Sequence, residues 1–344
     1  MKAVCVKEPG HLEITERPVP AAGKGEVRIR VRGTGICRSD MHIFHGRNPL
    51  VKYPRIVGRE FAGEIVALGK SVEGFSIGDH VAVDPVLSCG VCRACISGHR
   101  NVCPQLQILG IHLDGGMAEY VTVPAANVYP VPVEWSWNKA AMVEPFAVAA
   151  NILSRTSCSP ADRVLIMGAG PVGLTVLLGA IRTGAQVAVA DVLESRLELA
   201  RSLGAHLLID SGRLDVENEV EKWTGGEGVS LIVDVICLPE IFSSLLKMAS
   251  PAGRIAHLSF SEQPAAIIPA EITKKELSIL GSRLNCNMFP LAIRWFAEGL
   301  DPEKLISHTF PFTQALDALK LIEENPLEAL KVVLTFQEPS AEEA

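Results

Sequence analysis

The first 150 residues show the alternation of hydrophobic and polar positions that is typical of half-buried antiparallel strands. Residues 26–32 read Glu-Val-Arg-Ile-Arg-Val-Arg and alternate with a period of two, which places the apolar side chains on one face of a sheet. Residues 61–69 and 80–84 have the same character. We therefore predict a mostly-β domain with long loops over residues 1–150.

Beyond Pro145 the pattern changes to short apolar strands that alternate with helix-like stretches. Strands are predicted over residues 163–167, 186–190, 231–235, 254–258 and 277–280, and helices over residues 147–154, 172–182, 193–203 and 238–249. This alternation is typical of a parallel sheet wound with helices. We predict a doubly wound α/β domain of the Rossmann type over residues 151–289. Residues 290–344 complete the first domain, and their acidic tail, 337–344, is expected to fray.

Length and composition limit the possible functions. A chain of 344 residues is longer than the usual limit for a single hydrophobic core, so two domains are expected. The formal net charge of −7 and the lack of a basic run argue against a nucleic-acid partner. The apolar stretches are too short to span a bilayer, and the N-terminus lacks the apolar core of a signal peptide. We expect a cytoplasmic protein that acts on a small molecule and has no membrane partner.

Residues 164–174 read as a strand that leads into a glycine-rich turn and then a helix. In Gly168-x-Gly170-x-x-Gly173 the glycines permit the tight turn, the approach of a pyrophosphate and close packing of the helix, whose N-terminus attracts phosphate. Asp191 follows the second strand and should accept hydrogen bonds from ribose hydroxyls, which favours NAD over NADP. A purely structural turn is the alternative. The predicted cofactor-binding residues are Gly168, Gly170, Pro171, Val172, Gly173, Asp191 and Arg196.

Four of the nine cysteines fall within one short segment, Cys89-x2-Cys92-x2-Cys95-x7-Cys103. In a reducing compartment such a cluster indicates a metal site rather than disulfides. Four thiolates complete the tetrahedral shell of zinc and leave no position for water. We therefore predict a structural zinc site that folds a loop and performs no chemistry.

Residues 35–42 place a thiol (Cys37), a hydroxyl (Ser39) and an imidazole (His42) close together. Such groups could hold a metal, bind a substrate alcohol and pass a proton to solvent. The chain resembles zinc-type medium-chain dehydrogenases, whose Cys-x-Ser-Asp-x-His pattern, Gly-His-Glu, four-cysteine lobe, Glu-Pro segment and glycine motif occur in the same order over essentially the whole chain. Segments 52–58, 110–120, 143–151 and 304–310 look most like the sorbitol, galactonate and starvation-sensing (L-gulonate-type) dehydrogenases.

The resemblance implies a fold and a set of roles. The first domain would be a GroES-like catalytic domain, and the enzyme a dimer or tetramer. Cys37 and Glu144 would be ligands of a catalytic zinc, with Glu60 as the neighbouring carboxylate and candidate third ligand. Ser39 and His42 would relay the alcohol proton, and Arg38 would lie near the cofactor phosphates.

One residue departs from the family pattern. Arg59 stands where Gly-His-Glu supplies a zinc-binding histidine, and a guanidinium has no lone pair to donate. Zinc could still bind through Cys37, Glu60 and Glu144. Alternatively, Arg59 could pair with these carboxylates and partly replace the metal, or it could hold an acidic substrate. Because like charge near a dication is unfavourable, we favour a weakened or vacant catalytic zinc site.

The segment after the last predicted strand carries a candidate substrate site. Arg283, with Asn285, could bind a hexonate carboxylate by bidentate hydrogen bonds. The galactonate and starvation-sensing relatives are similar at this segment. The alternative is that Arg283 forms a salt bridge to the other domain or to a neighbouring subunit. The leading hypothesis is an enzyme that passes hydride from a secondary alcohol of a sugar acid or polyol to NAD. Its rivals are a non-catalytic NAD-binding regulator and a metal-free quinone or enoyl reductase.

Overall fold

The structure is a computed structural model that describes residues 1–336, so the predicted tail lies outside the described residues. The chain forms two compact units, residues 1–147 with 289–344 and residues 148–288. No helix in the described range 1–336 is long and apolar enough to cross a membrane.

The N-terminal part of the chain is built mainly of antiparallel strands. The strands are β1 (Lys2–Glu8), β2 (His11–Glu16), β3 (Glu26–Gly35), β4 (Arg55–Ile56), β5 (Glu60–Leu68), β6 (His80–Val83), β7 (Val86–Leu87), β8 (Gln107–Ile108), β9 (Tyr120–Pro124) and β10 (Val128–Pro130). The helices are α1 (Arg38–Phe44), α2 (Arg93–Ile96), α3 (Trp137–Ala141) and α4 (Val143–Arg155). In β3 the alternating pattern buries Val27, Ile29 and Val31 completely, as expected for a strand with one face on the core.

The second unit is a parallel sheet with helices. Its elements are β11 (Arg163–Met167), α5 (Pro171–Thr183), β12 (Gln186–Asp191), α6 (Glu194–Ser202), β13 (Leu207–Asp210), α7 (Val216–Thr224), β14 (Val229–Asp234), α8 (Phe242–Met248), β15 (Ala249–His257), α9 (Pro269–Lys275) and β16 (Ser278–Gly281). All six strands pair in parallel in the order β13-β12-β11-β14-β15-β16. Central strand β11 buries Val164, Leu165 and Ile166 in succession, because helices cover both faces of such a sheet. The predicted doubly wound sheet is confirmed; β13, α7 and α9 were not predicted.

The chain then returns to the first unit with α10 (Phe289–Ala297), β17 (Ile306–Pro311), α11 (Ala315–Glu324) and β18 (Lys331–Thr335). Strand β18 pairs antiparallel with β3, and β17 pairs parallel with β18. The main sheet of this unit runs β10-β6-β5-β3-β18-β17, with β9 also paired to β3. The pairing of β18 with β3 brings a C-terminal strand beside the loop that carries the predicted catalytic residues.

Candidate active site

Helix α1 and the residue before it carry three of the predicted catalytic groups. Cys37 is the N-cap of the helix and is half-buried, and its thiol accepts a hydrogen bond of 3.0 Å from the Ser39 hydroxyl. His42 lies one turn further on and is exposed. Partial burial of the ring and the positive charges of Arg38 and Arg47 lower the pKa of His42. A neutral, exposed imidazole can accept a proton and release it to solvent.

Asp40 fixes the position of this segment, a role that the sequence did not reveal. Its carboxylate accepts hydrogen bonds from the backbone N–H of Cys37 at 2.8 Å and of Gly58 at 3.3 Å, and its side chain is buried. The first bond satisfies an N–H group at the start of α1, as N-capping carboxylates do. The second ties α1 to the residue that precedes Arg59. The structure thus brings Cys37 and Arg59 into one neighbourhood.

Glu60 begins strand β5 and is paired with a buried lysine. Lys331 Nζ donates to Glu60 Oε2 at 2.6 Å and to the Ile36 carbonyl at 3.3 Å, and both charged side chains are at most 4% exposed. Burial alone would lower the pKa of Lys331, but the Glu60 carboxylate and Cys37 outweigh it and raise this pKa. The only sequence signal for Lys331 was a charged residue in the apolar strand Lys-Val-Val-Leu-Thr.

Two further predicted groups are held largely in their neutral forms. Burial, together with the Glu60 carboxylate, raises the pKa of Glu144 in the first turn of α4 to about 8. Burial likewise raises the pKa of the Cys37 thiol to about 11, although Arg59 opposes this shift. Both groups therefore carry little negative charge at neutral pH.

Arg59 lies within the same cluster and is only 6% exposed. Burial alone would lower its pKa, but four acidic groups outweigh burial and raise it: Cys37, Asp40, Glu144 and Glu60. Within residues 1–336 its Nε and Nη2 atoms have no hydrogen-bond partner. Buried N–H groups without partners are uncommon because their desolvation is not compensated.

The residues around Arg59 do not fit a catalytic zinc ion. In the described chain, groups of three or more potential ligand atoms converge at two places, and neither includes Cys37, Glu60 or Glu144. Glu60 is instead engaged by the ammonium of Lys331. Arg59 cannot replace the histidine of the family pattern as a ligand. The assignment of Cys37, Glu60 and Glu144 as zinc ligands therefore stays a sequence-based prediction that this geometry does not favour.

The four-cysteine lobe, in contrast, has the geometry of a zinc site. Its sulfur–sulfur distances are 3.5 Å for Cys92–Cys95 and Cys89–Cys103, 3.8 Å for Cys92–Cys103 and 4.0 Å for Cys89–Cys95. Zn–S bonds of about 2.3 Å in a tetrahedron place the sulfurs about 3.8 Å apart. The backbone N–H groups of Val91 and Cys92 lower the pKa of Cys89 to about 6. The backbone N–H of Cys95 would lower the pKa of Cys92, but burial and the neighbouring thiols outweigh it and raise this pKa to about 11.

The glycine-rich turn joins β11 to α5. Gly168 has a φ of +105°, and a Cβ at Gly173 would collide with the Gly168 carbonyl, so both positions require glycine. Gly170 is the N-cap of α5 and Pro171 its first residue. Asp191 accepts hydrogen bonds from the backbone N–H of Ala169 at 2.7 Å and of Leu193 at 2.9 Å. Its carboxylate is thus held against the turn, at the edge of the sheet where such folds bind dinucleotides.

The remaining predicted cofactor residues lie at two places. Val172 follows Pro171 in α5 and is half-buried. The Nη1 atom of Arg196, from α6, lies 3.5 Å from the position that a Cβ at Gly170 would take. Arg38 is exposed at the first position of α1, in the other unit. The contacts of these residues with NAD stay predictions.

A group that the sequence did not indicate lies at the carboxyl ends of β14 and β15. Asp234, Cys237 and His257 have potential ligand atoms within 4.8 Å of one another. The Asp234 carboxylate already pairs with His257 Nδ1 at 2.9 Å and accepts from the Cys237 backbone N–H at 2.9 Å. Because its acceptors are occupied by the protein, we interpret this group as a structural hydrogen-bond network.

The predicted substrate residues follow β16. Arg283 is half-buried, and its guanidinium lies 5.5 Å from the centre of the Phe260 ring. Asn285 is buried. Asn151 fixes this loop, since its amide donates to the Ser282 hydroxyl at 3.3 Å and to the Leu284 carbonyl at 3.1 Å.

Comparison with known proteins identifies the family. Residues 23–133 match the alcohol dehydrogenase GroES-like domain, and residues 171–298 match the zinc-binding dehydrogenase family. The chain is 45% identical to the starvation-sensing protein RspB of Escherichia coli K12, covering 98% of this chain and 100% of the relative. It is 32% identical to the L-galactonate-5-dehydrogenase of the same organism, covering 98% and 99%.

A solved structure agrees with these relatives. The crystal structure of a short chain alcohol dehydrogenase (rspB) from E. coli CFT073, complexed with NADH, matches with a TM-score of 0.93 and 43% identity, covering 98% of this chain and 99% of that one. The predicted GroES-like and Rossmann folds are thereby confirmed. The matched family is a zinc-binding one, the four cysteines form a possible zinc site, and the neighbouring structure holds NADH, in agreement with the predicted cofactors. The chain belongs to the zinc-type alcohol dehydrogenase family and is an NAD-dependent dehydrogenase.

Proposed function

We propose that the enzyme oxidises a secondary alcohol of a sugar acid or polyol, with an L-gulonate-like hexonate as the favoured substrate. The observation that carries the alcohol chemistry is the arrangement of Ser39 and His42 on one turn of α1, the first hydrogen-bonded to Cys37 and the second exposed. Hydride and its two electrons pass from the carbinol carbon to NAD⁺. The hydroxyl proton leaves through Ser39 and His42 to solvent, and the C–O bond becomes a carbonyl.

The preference for a sugar acid rests on Arg283. A guanidinium binds a carboxylate through two parallel hydrogen bonds, and the backbone that carries Arg283 is fixed on both sides by Asn151. Similarity to an L-galactonate-5-dehydrogenase supports an acidic substrate, whereas similarity to sorbitol dehydrogenase supports a polyol. A hexonate carries both a secondary alcohol and a carboxylate, the two groups that these residues would recognise.

Replacing Arg283 by Ala tests this preference. Loss of a charged hydrogen-bond donor costs about 1.5–3 kcal/mol, so we expect kcat/KM for L-gulonate to fall roughly 10- to 150-fold. Turnover of sorbitol should change less than about twofold, within the usual effect of a surface change. Arg213→Ala, at an exposed arginine of the same unit, is the matched control. An equal loss for both substrates would show that Arg283 does not bind a carboxylate.

The sequence left one rival open, a non-catalytic NAD-binding regulator, and membership of the alcohol dehydrogenase family argues against it. The observation that favours it is Arg59, which stands in place of the family's zinc-binding histidine. Such a protein would bind NADH and yet reduce no NAD⁺ with any hexonate or polyol. Steady-state assays with a panel of both substrate classes, run beside a binding titration with NADH, separate the two functions.

The assembly that we infer is a homo-oligomer, a dimer or tetramer, in the cytoplasm. Strand β16 ends the order of the parallel sheet, and Ile279 on this strand is 38% exposed. An open strand edge with an apolar side chain is a suitable surface for pairing with a second sheet. The molar mass in solution, measured by light scattering for the native chain and for Ile279→Lys, tests the assignment. An unchanged oligomer in the variant would place the interface elsewhere.

A further inference from the structure

Arg59 occupies the place in the sequence where related enzymes present a metal ligand, and the structure gives this residue a different environment from that of a surface arginine. Arg59 is only 6% exposed, and it immediately precedes the buried carboxylate of Glu60. Burial of a charge is expensive unless other charges compensate it. The neighbouring carboxyl groups of Asp40 and Glu60 attract this charge and contribute to that compensation.

The protein itself places two positively charged side chains in this cluster, where related enzymes place a metal ion. Lys331 donates to Glu60, and Arg59 interacts electrostatically with the same carboxylate. Together the ammonium and the guanidinium carry two positive charges, the charge of a zinc ion. A dication added beside them would meet two like charges at short range, where the low dielectric of the interior strengthens repulsion.

Two donors of Arg59 have no partner among the described residues. Nε and Nη2 are both buried and make no hydrogen bond within residues 1–336. A buried donor without an acceptor is costly, so an oxygen atom that reached them would be bound favourably. An alkoxide oxygen, which gains negative charge as an alcohol loses its proton, is such an acceptor.

We propose that Arg59 takes the place of the catalytic metal in this chain. Its guanidinium supplies the positive charge, and its Nε–H and Nη2–H groups donate hydrogen bonds to the substrate oxygen that becomes the carbonyl. The inference rests on the proposed alcohol oxidation. Hydride leaves for NAD⁺, the proton leaves through Ser39 and His42, and Arg59 keeps its own protons throughout. The zinc of this enzyme is then confined to the four-cysteine lobe.

The zinc content of the purified protein tests the displacement without reference to activity. After dialysis against zinc and removal of loosely bound metal, we expect about one zinc ion per chain, as a four-cysteine site holds. Cys37→Ser should leave this content unchanged, and Cys89→Ser should abolish it. Arg59→His should raise it to about two, and Arg59→His with Cys37→Ser should return it to about one. Cys237→Ser, added to Arg59→His, should not remove the second ion.

About two zinc ions in the native chain, with one lost in Cys37→Ser, would overturn the proposal. The native chain and its Cys37→Ser variant decide this point even if Arg59→His fails to fold. Their comparison needs no substrate.

A second experiment tests the hydrogen bonds to the substrate. Removal of one oxyanion donor typically costs about 100- to 1,000-fold in kcat, so Arg59→Ala should lose at least that much while its affinity for NADH is kept. Free guanidinium ion should restore part of the lost kcat, and added zinc should not. A kcat within about twofold of the native value, or rescue by zinc alone, would contradict the proposal. If the native enzyme itself reduces no NAD⁺ with any hexonate or polyol, the proposed function and these hydrogen bonds fail together, whereas the zinc content still decides the displacement.

Discussion

Lys331 donates a 2.6 Å hydrogen bond to Glu60, and both side chains are almost completely buried. The two residues are 271 positions apart, so the bond joins the start of β5 to the start of the C-terminal strand β18. It also occupies a carboxylate that the resemblance to zinc enzymes would place beside a metal. The buried pair thus has two effects: it joins β5 to β18, and it places a positive charge beside the Glu60 carboxylate in the active-site cluster.

The first prediction concerns this pair. Lys331→Met leaves the Glu60 carboxylate buried without its cation, and breaking a buried ion pair in this way costs about 3–5 kcal/mol. We expect a lower free energy of unfolding by that amount in urea denaturation. Lys247→Met, at an exposed lysine, serves as the control and should change little. The double variant Lys331→Met with Glu60→Gln should recover part of the loss, and additive losses would show that the two residues do not interact.

The second prediction concerns the four-cysteine lobe. Cys92→Ser removes one of four sulfurs that lie at zinc-binding distances, and the remaining three cannot complete the tetrahedral shell. Bound zinc should fall by about one ion per chain, and the lobe should become sensitive to proteolysis. Cys158→Ser removes a cysteine that contacts Thr183 instead. Equal zinc content in Cys92→Ser and the native protein would show that the lobe binds no metal.

The third prediction concerns the cofactor. Asp191→Asn keeps the shape of the side chain but removes the charge that accepts ribose hydrogen bonds. We expect the dissociation constant for NADH to rise roughly 10-fold or more, because charged hydrogen bonds contribute about 1.5–3 kcal/mol each. Asp210→Asn is a close control, since Asp210 pairs with Asp191 at the end of the neighbouring strand β13. If both variants bind NADH as the native enzyme does, Asp191 acts only on the glycine turn.

The fourth prediction concerns pH and stability. Burial alone would raise the pKa of Asp162, but hydrogen bonds from Ser230 and Ser159 and the charge of Arg254 outweigh it and hold this pKa below its usual value. The stabilisation is therefore fully present above the unfolded pKa of about 3.9 and is lost as the pH falls through the lower folded pKa. The melting temperature of Asp162→Asn should lie below that of the native protein at neutral pH. The difference should shrink below pH of about 4; a difference that grows on acidification would reverse the assignment.

Local sequence patterns predicted the elements of the second unit where they were strongest. The continuous apolar run that became β11 and the glycine motif that became the start of α5 both depend on neighbours in sequence. Strand β13 was not predicted because its four residues, Leu-Leu-Ile-Asp, carry no periodicity that distinguishes a strand from a turn. Helix α7 followed a segment with few apolar residues, and its position depends on packing against α8 and β13.

Tertiary pairing limits what the sequence reveals about the active site. Cys37, Ser39 and His42 were recognised because they are close in sequence, and Arg59 because it departs from a family pattern. Lys331 was missed because its partner Glu60 is distant in the chain. Asp40 was missed because its role consists of hydrogen bonds to the backbone N–H groups of Cys37 and Gly58. Every residue except proline has a backbone N–H group, so the sequence does not show which of them a carboxylate will bind.

We infer that this chain oxidises a sugar-acid alcohol with NAD⁺ while its zinc remains in the four-cysteine lobe. The most direct measurement follows NADH formation from L-gulonate by native enzyme whose zinc content has been determined in the same preparation. We expect steady turnover, with one NADH formed for each ketone produced, by protein that holds about one zinc ion per chain. NADH binding without turnover of any hexonate or polyol would contradict it, as would turnover that appears only when a second zinc ion is bound.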